Sequence, residues 1–448
     1  MAAAVEWVNG HYELQGDKIV RNSRAFTSAK EEVEIYDDLA RYIESRILVE
    51  HKFESYSIPP NPEGDGAVDA PSTSVLATPD LTTATKLLII IQNASGSQMG
   101  IFSRSLCLDQ GISKGSMLPY IEHAIREGYA VLILRPNTNS VTLTKADGTT
   151  EKVLIRGSES PEIHALCVWE NVVPLAKNVS SIALLGYGNG ASLCHDLFLR
   201  SKVQGSNLIQ AFATIEASHI VEEDDPNDVQ SSLADLVVNV ECSPDHAKGH
   251  VLDFRRKKIG VTSVSMGMPT GVQDLTNVAI CAPMALETIF SYFTISLGRA
   301  AAAAAGGAAA GGDAALPASE LFVRKFVADN LPGVARKDAT VTVASGAASG
   351  GSGDVPPGPP SASPPPSTRK SDSPSVFSKL FGFSSKKSPA GGASGSSPRG
   401  GGADDAGHLT VADFDLLRIV GKGGEFTYLH PSPYLSPFFL YASASLSV

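Results

Sequence analysis

The chain has 448 residues, 43% of them hydrophobic, and a formal net charge of −11. That length leaves room for a sizeable core and for more than one domain. The acidic balance excludes broad, nonspecific attraction to nucleic acid or to an anionic membrane. The five cysteines, Cys107, Cys167, Cys194, Cys242 and Cys281, are scattered, with no C-x-x-C pair and no zinc-type spacing. Free buried thiols in a reducing compartment are expected, with no metal and no cofactor. Residues 1–7 lack a basic stretch followed by an apolar one, and Gly306 and Gly307 interrupt the alanine tract at 300–305. Neither a secretory signal nor a membrane span is expected, and the location expected is nuclear or cytoplasmic.

In chain order, residues 36–50 carry Leu39, Ile43, Ile47 and Leu48 at a helical period. Residues 87–91 are a continuous apolar run, as in a strand buried on both faces. Residues 117–127 predict a helix, with Gly128 where a C-cap glycine belongs. A second buried strand follows at 130–134 and is stopped by Arg135-Pro136-Asn137. Helix is expected at 161–175, strand at 181–185, helix at 191–200, strands at 208–215 and 260–264, and a closing helix at 283–293. This alternation predicts an α/β domain over 1–297, a mostly parallel sheet with helices on both faces. Composition shifts near residue 298. Residues 298–409 form a low-complexity linker rich in Ser, Pro, Gly and Ala, with a short helix near 319–334. Such a tail buries too little apolar surface to offset its ordering entropy, so disorder is expected. A third segment covers 410–448.

The sharpest local pattern is the strand at 182–185 running through Gly186-Tyr187-Gly188-Asn189-Gly190 into a helix. Small residues between a buried strand and a helix are the setting of a nucleophile elbow, G-x-S-x-G, in an α/β-hydrolase-like sheet. That chemistry needs a nucleophile at the tip, a base beside it and oxyanion donors nearby. Here the tip is Tyr187 if the motif is set on the strand end, or Gly188 if set on the glycines. Neither supports a Ser–His mechanism. A phosphate-binding turn is a further possibility, since helix N-termini attract anions, but the spacing is not G-x-G-x-x-G. The remaining alternative is a tight strand–helix turn kept from a hydrolase-like scaffold.

Two more positions bear on the same chemistry. Hydrolases place His-Gly after an early strand to supply an oxyanion amide; here Gln92 and Asn93 stand there. The late histidine of a triad would follow the strand ending at Val264, where the chain carries Gln273 and no histidine. Glu216 and His219, after the strand at 208–215, form a candidate acid–base pair, or are polar loop residues. If the domain is an enzyme with an atypical site, its candidate groups are Tyr187, Glu216 and His219. Otherwise Gln92, Asn93, Gly186, Tyr187, Gly188, Gly190 and Gln273 line a vestigial pocket.

Several blocks in order, Lys86 to Gly96, Leu118 to Asn137, His164 to Trp169, the glycine turn and Ala213 to His219, resemble the Arb-type domain. That family is named for an argonaute-binding protein of fission yeast. It includes animal cotranscriptional regulators and domains appended to some histone deacetylases. The resemblance implies a hydrolase scaffold used for protein binding with argonaute or chromatin factors in small-RNA-guided heterochromatin, with contact to small RNA indirect or weak. Animal members carry a serine at the glycine turn and a late histidine; Tyr187 or Gly188 and Gln273 stand there in this chain. Separately, residues 410–424 resemble the opening strand and glycine loop of an AGC-type protein kinase, in which Gly421, Gly423 and Gly424 would cover ATP phosphates. The strand lysine, H-R-D and D-F-G of a kinase are absent, which implies a truncated start without phosphoryl transfer.

Overall fold

The computed structural model describes residues 7, 9, 11–21, 29–60, 70–93, 98–145, 147–218, 220–222, 225–253, 259–269, 279–304, 316–331, 414–421 and 424–431. Its centre is an eight-stranded sheet of β3 (Glu54–Ile58), β4 (Thr73–Ala77), β5 (Lys86–Ile91), β6 (Ala130–Ile133), β9 (Ser181–Tyr187), β10 (Ile209–Ile215), β11 (Val237–Glu241) and β12 (Thr262–Ser265). Across the sheet the order is β3-β4-β6-β5-β9-β10-β11-β12. β4 runs antiparallel to both β3 and β6, and every pairing from β6 to β12 is parallel. This is the strand order of the α/β-hydrolase fold, as the glycine turn suggested. Two antiparallel hairpins stand outside it: β1 (Tyr12–Gln15) with β2 (Lys18–Arg21), and β7 (Ser140–Thr144) with β8 (Thr150–Leu154).

The inner strands are rich in apolar residues that are buried on both sides because helices cover both faces of the sheet. Along β5, Leu88 and Ile90 face one core, while Leu87, Ile89 and Ile91 face the other. The first core is filled by α1 (Ala29–Glu50), α2 (Arg104–Asp109), α3 (Ile112–Gly115), α4 (Leu118–Arg126), α8 (Cys281–Ala304) and α9 (Ala318–Asn330). The second is filled by α5 (Pro161–Asn171), α6 (Gly190–Val203) and α7 (Asn227–Leu236). Each fully buried Leu or Ile contributes roughly 1.5–3 kcal/mol.

The departures from the expected elements have local causes. α1 begins at Ala29, seven residues before the expected start, and Ile35, fully buried, extends the period of Leu39, Ile43 and Ile47 one turn earlier. α5 stops at Asn171, and Val173–Leu175 is a separate 3-10 turn, since Pro174 cannot donate to a continuing helix. The C-cap glycine appears where expected: Gly128 follows α4 with φ +76°. Helical packing carries on past residue 297. α8 runs through to Ala304, and α9 packs Phe322 edge-on against Tyr292, with ring centroids 5.4 Å apart. The helix expected within the linker is therefore bound to the core by two phenylalanines, Phe322 and Phe326. Residues 332–413, the bulk of the expected linker, lie outside the described residues. β13 (Phe414–Gly421) and β14 (Gly424–Pro431) form a separate two-stranded sheet. Among the described residues, no helix is long and apolar enough to cross a membrane.

Candidate functional site

Chain order reverses at the β5–β9 pair, since β6 lies on one side of β5 and β9 on the other. Such a reversal opens a crevice outside the carboxyl ends of the strands, the usual ligand position in an open α/β sheet. Gly186 and Tyr187 end β9 there, and Asn189 precedes Gly190, the first residue of α6. Gly188 lies between them with φ +55°, the left-handed region that favours glycine. A Cβ on Gly190 would stand 2.5 Å from the carbonyl oxygens of Ile91 and Gln92, and one on Gly186 would stand 2.8 Å from the Ala191 Cα. Both obstacles are backbone and cannot turn aside. The elbow is thus Gly186-x-Gly188-x-Gly190, with Gly188 at its tip and Tyr187 in the strand.

Around the tip stand Tyr187, Gln92 and Asn93, three of the residues read from the sequence. Tyr187 is buried, its ring centroid 5.1 Å from that of Phe102. Burial, then the charge of Glu216, raises its phenol, so it stays protonated at neutral pH. Gln92 is fully buried at the end of β5. Asn93 lies against Gly188, where a Cβ would meet its Cγ at 3.3 Å. The Asn93 carbonyl accepts from Asn137 Nδ2 at 2.9 Å, and its side-chain Oδ1 is buried without a hydrogen-bond partner among the described residues. Gln273 and His219 lie outside the described residues. Two cavities, of about 160 and 150 Å³, open elsewhere, beside Phe322 and Phe326 and beside Tyr120 and Pro283. Neither is lined by the turn. In the tail, Gly421 ends β13 and Gly424 begins β14, while Gly423 lies outside the described residues.

Glu216 has neighbours that lie far from it in the sequence. Glu216 directly follows β10 and holds φ +53°, an uncommon conformation for a residue with a side chain. Its amide donates to the Val240 carbonyl at 3.0 Å, and its Oε1 accepts from the Cys242 amide at 2.7 Å. Burial pushes its carboxyl up to about 8; the Cys242 amide opposes this and the Glu241 charge reinforces it. Beside it stand Cys242, directly after β11, and Cys281, the first residue of α8. A carboxylate oxygen and the two sulfurs lie within 4.8 Å of one another. The Cys281 thiol has three acceptors in reach: the Val240 carbonyl at 3.6 Å, the Cys242 sulfur and the Glu216 carboxylate. Donation to Cys242 holds that thiol below its ordinary value, while burial raises Cys281. Spacing along the chain predicts no metal-type cluster; the fold assembles one because its donors come from two strand ends and a distant helix.

A buried polar ladder fixes these strand ends. Asn239 Oδ1 accepts from Thr214 Oγ1 at 2.8 Å and from the Ala217 amide at 3.1 Å. Its Nδ2 donates to Glu241 Oε1 at 2.5 Å and to Ser263 Oγ at 3.2 Å. β10, β11 and β12 are thereby tied together, and the polar demands of a buried Asn are met.

Comparison with known proteins agrees with this scaffold. A model described as the Arb2 domain matches residues 12–239, about half of the chain. A cotranscriptional regulator ARB2A homolog of Xenopus tropicalis is 25% identical over 189 residues, which are 32% of this chain and 44% of the relative. The cotranscriptional regulator ARB2A of Mus musculus is 22% identical over 228 residues, 41% of this chain and 54% of the relative. The chain thus spans about half the length of the curated relatives it matches. Among solved structures, a histone deacetylase from Saccharomyces cerevisiae aligns over 59% of this chain and 98% of its own, at 13% identity and a TM-score of 0.35. The fold assignment stands on the strand order, not on that distant superposition.

Proposed function

This chain belongs to the Arb2 domain family, and we propose that its hydrolase-like domain is a noncatalytic protein-binding module acting in cotranscriptional regulation. Gly188 carries this reading. The turn keeps the backbone fit that an elbow needs at Gly186 and Gly190, and the tip has no side chain at all. Acyl transfer requires a nucleophile at that point. A scaffold that keeps its shape and loses its reacting atom is suited to presenting a surface. The relatives are cotranscriptional regulators by name, which supports a nuclear site of action. More narrowly, we assign argonaute or chromatin factors as partners, in small-RNA-guided heterochromatin, with RNA contact indirect because the chain is acidic.

The test uses the full chain. Purified protein is assayed on short-chain p-nitrophenyl esters, and tagged protein is tested for reciprocal coprecipitation with argonaute and chromatin proteins, with and without ribonuclease. No ester turnover and ribonuclease-resistant coprecipitation are expected. Ester hydrolysis that vanishes in Tyr187→Phe, Glu216→Gln or His219→Ala would overturn the proposal in favour of an atypical hydrolase.

A second reading concerns 410–448. β13 and β14 pair on either side of residues 422–423, the hairpin arrangement of a kinase glycine loop. We propose that this hairpin is the opening strand pair and glycine loop of a kinase-like segment. Transcript sequencing beyond codon 448 tests it: kinase motifs in frame support it, and a stop codon with none downstream refutes it.

A further inference from the structure

Glu216, Cys242 and Cys281 reach one point from three separate elements: the end of β10, the end of β11 and the start of α8. Their donor atoms, one oxygen and two sulfurs, lie within 4.8 Å of one another. A tetrahedral zinc ion with Zn–S bonds of about 2.3 Å and a Zn–O bond of about 2.0–2.2 Å holds its ligand atoms roughly 3.5–3.8 Å apart. The cluster needs to contract by only about 1 Å, within the reach of side-chain rotation. Two sulfurs with one carboxylate suit zinc, whereas magnesium and calcium take oxygen ligands.

The surroundings are those of a built site. The Cys242 amide bonds one carboxylate oxygen of Glu216 at 2.7 Å, which fixes the group beside the two sulfurs. The Glu216 backbone is held in the left-handed region by its own bond to Val240. Met284 stands next to the cluster, with its Sδ 3.9 Å from Cys242 Sγ. Cys281 is fully buried and Cys242 nearly so, so that the sulfurs are shielded from bulk solvent.

We propose that Glu216, Cys242 and Cys281 bind one zinc ion, with water as the fourth ligand. The ion would fasten the start of α8 to the carboxyl ends of β10 and β11. It is a cross-link beside the glycine turn, not a replacement for the missing nucleophile, and it does not depend on the protein-binding role above.

The full-length chain, reduced and stripped with chelator, is titrated with Co²⁺ and then Zn²⁺. One equivalent of Co²⁺ should give sulfur-to-cobalt charge-transfer absorption, which Zn²⁺ removes by displacement. Equimolar Zn²⁺ should also raise the unfolding midpoint. Cys242→Ser and Cys281→Ser should each abolish most of the charge-transfer signal, and Glu216→Gln should weaken Zn²⁺ binding at least about tenfold. Cys167→Ser, a thiol on α5, should leave the titration unchanged. The proposal is overturned if the unaltered chain, folded by circular dichroism, binds far less than one equivalent of Zn²⁺. It is also overturned if the Cys242→Ser/Cys281→Ser double variant still gives the cobalt signal. The first outcome is read on unaltered protein, so misfolding of a variant cannot obscure it.

Discussion

The carboxyl end of β9 and the carboxyl ends of β10 and β11 are neighbours in the sheet, yet they hold opposite contents. At β9 the backbone has the shape of a reaction centre: a left-handed tip at Gly188 between two glycines that no larger residue can replace. The tip itself carries no side chain. At β10 and β11 there is no recognisable turn motif, but a carboxyl and two thiols converge and a buried Asn239 ladder braces them. Shape in a fold is carried by backbone sterics and persists when side chains are lost. Chemistry is carried by side chains and can gather wherever strand ends are close.

Gly190 gives the sharpest way to break this comparison. In Gly190→Ala the new Cβ meets two carbonyl oxygens at 2.5 Å, both on the end of β5. The central strand pair must part or α6 must shift. A loss of about 4 kcal/mol or more is expected, at the severe end for one substitution. Urea denaturation followed by circular dichroism measures it. A loss below about 1 kcal/mol would mean that the turn is pliable and its shape no relic.

The second prediction probes the other edge through pH, in chelator-treated protein. The Glu216 carboxyl is raised from 4.5 to about 8 in the folded chain, chiefly by burial. Between those values the folded state holds a proton that the unfolded state releases. Stability from this group is therefore fully present below about pH 4.5 and is lost as pH rises to about 8, on the order of 5 kcal/mol. Glu216→Gln, neutral throughout, should flatten that slope in denaturation curves taken across the window. A wild-type slope that survives in Glu216→Gln would assign the effect to other groups.

The same contrast explains what the sequence could show. β5, β6, β9 and β10 were legible because apolar residues dominate them, without a break in residues 87–91 and Ala130–Ile133. β11 was not, because Val237–Glu241 carries Asn239 and Glu241 at buried positions and reads as half polar. Only the fold shows that Thr214 and Ser263 satisfy Asn239, which in turn donates to Glu241. β3 and β4 escaped for a related reason: as the outer, antiparallel strands they are short and mixed in composition. The glycine turn was legible as a motif, but its tip was not. Choosing Gly188 over Tyr187 required the steric limits at Gly186 and Gly190. Glu216 was picked out by its place after a strand, with His219 as its partner. Its sulfur neighbours come from β11 and α8, and no spacing rule connects residues so far apart.

The smallest expected effect comes from restoring a hydroxyl to the elbow. In Gly188→Ser the residue must hold φ near +55°, and its Cβ would meet the Asn93 side chain at 3.3 Å. Asn93 is a side-chain neighbour that can give slightly, so the cost is mainly conformational, about 1–2 kcal/mol. The variant should fold, in contrast to Gly190→Ala. It should still not hydrolyse p-nitrophenyl esters, because a serine at its ordinary pKa is a weak nucleophile until a positioned base takes its proton. Tyr187 points into the core and Glu216 is bound to the Cys242 amide, so neither is free to serve as that base. Ester turnover above the unaltered chain would show that one atom separated this edge from catalysis. No turnover in a folded variant places the loss in the whole constellation, with the backbone shape alone surviving.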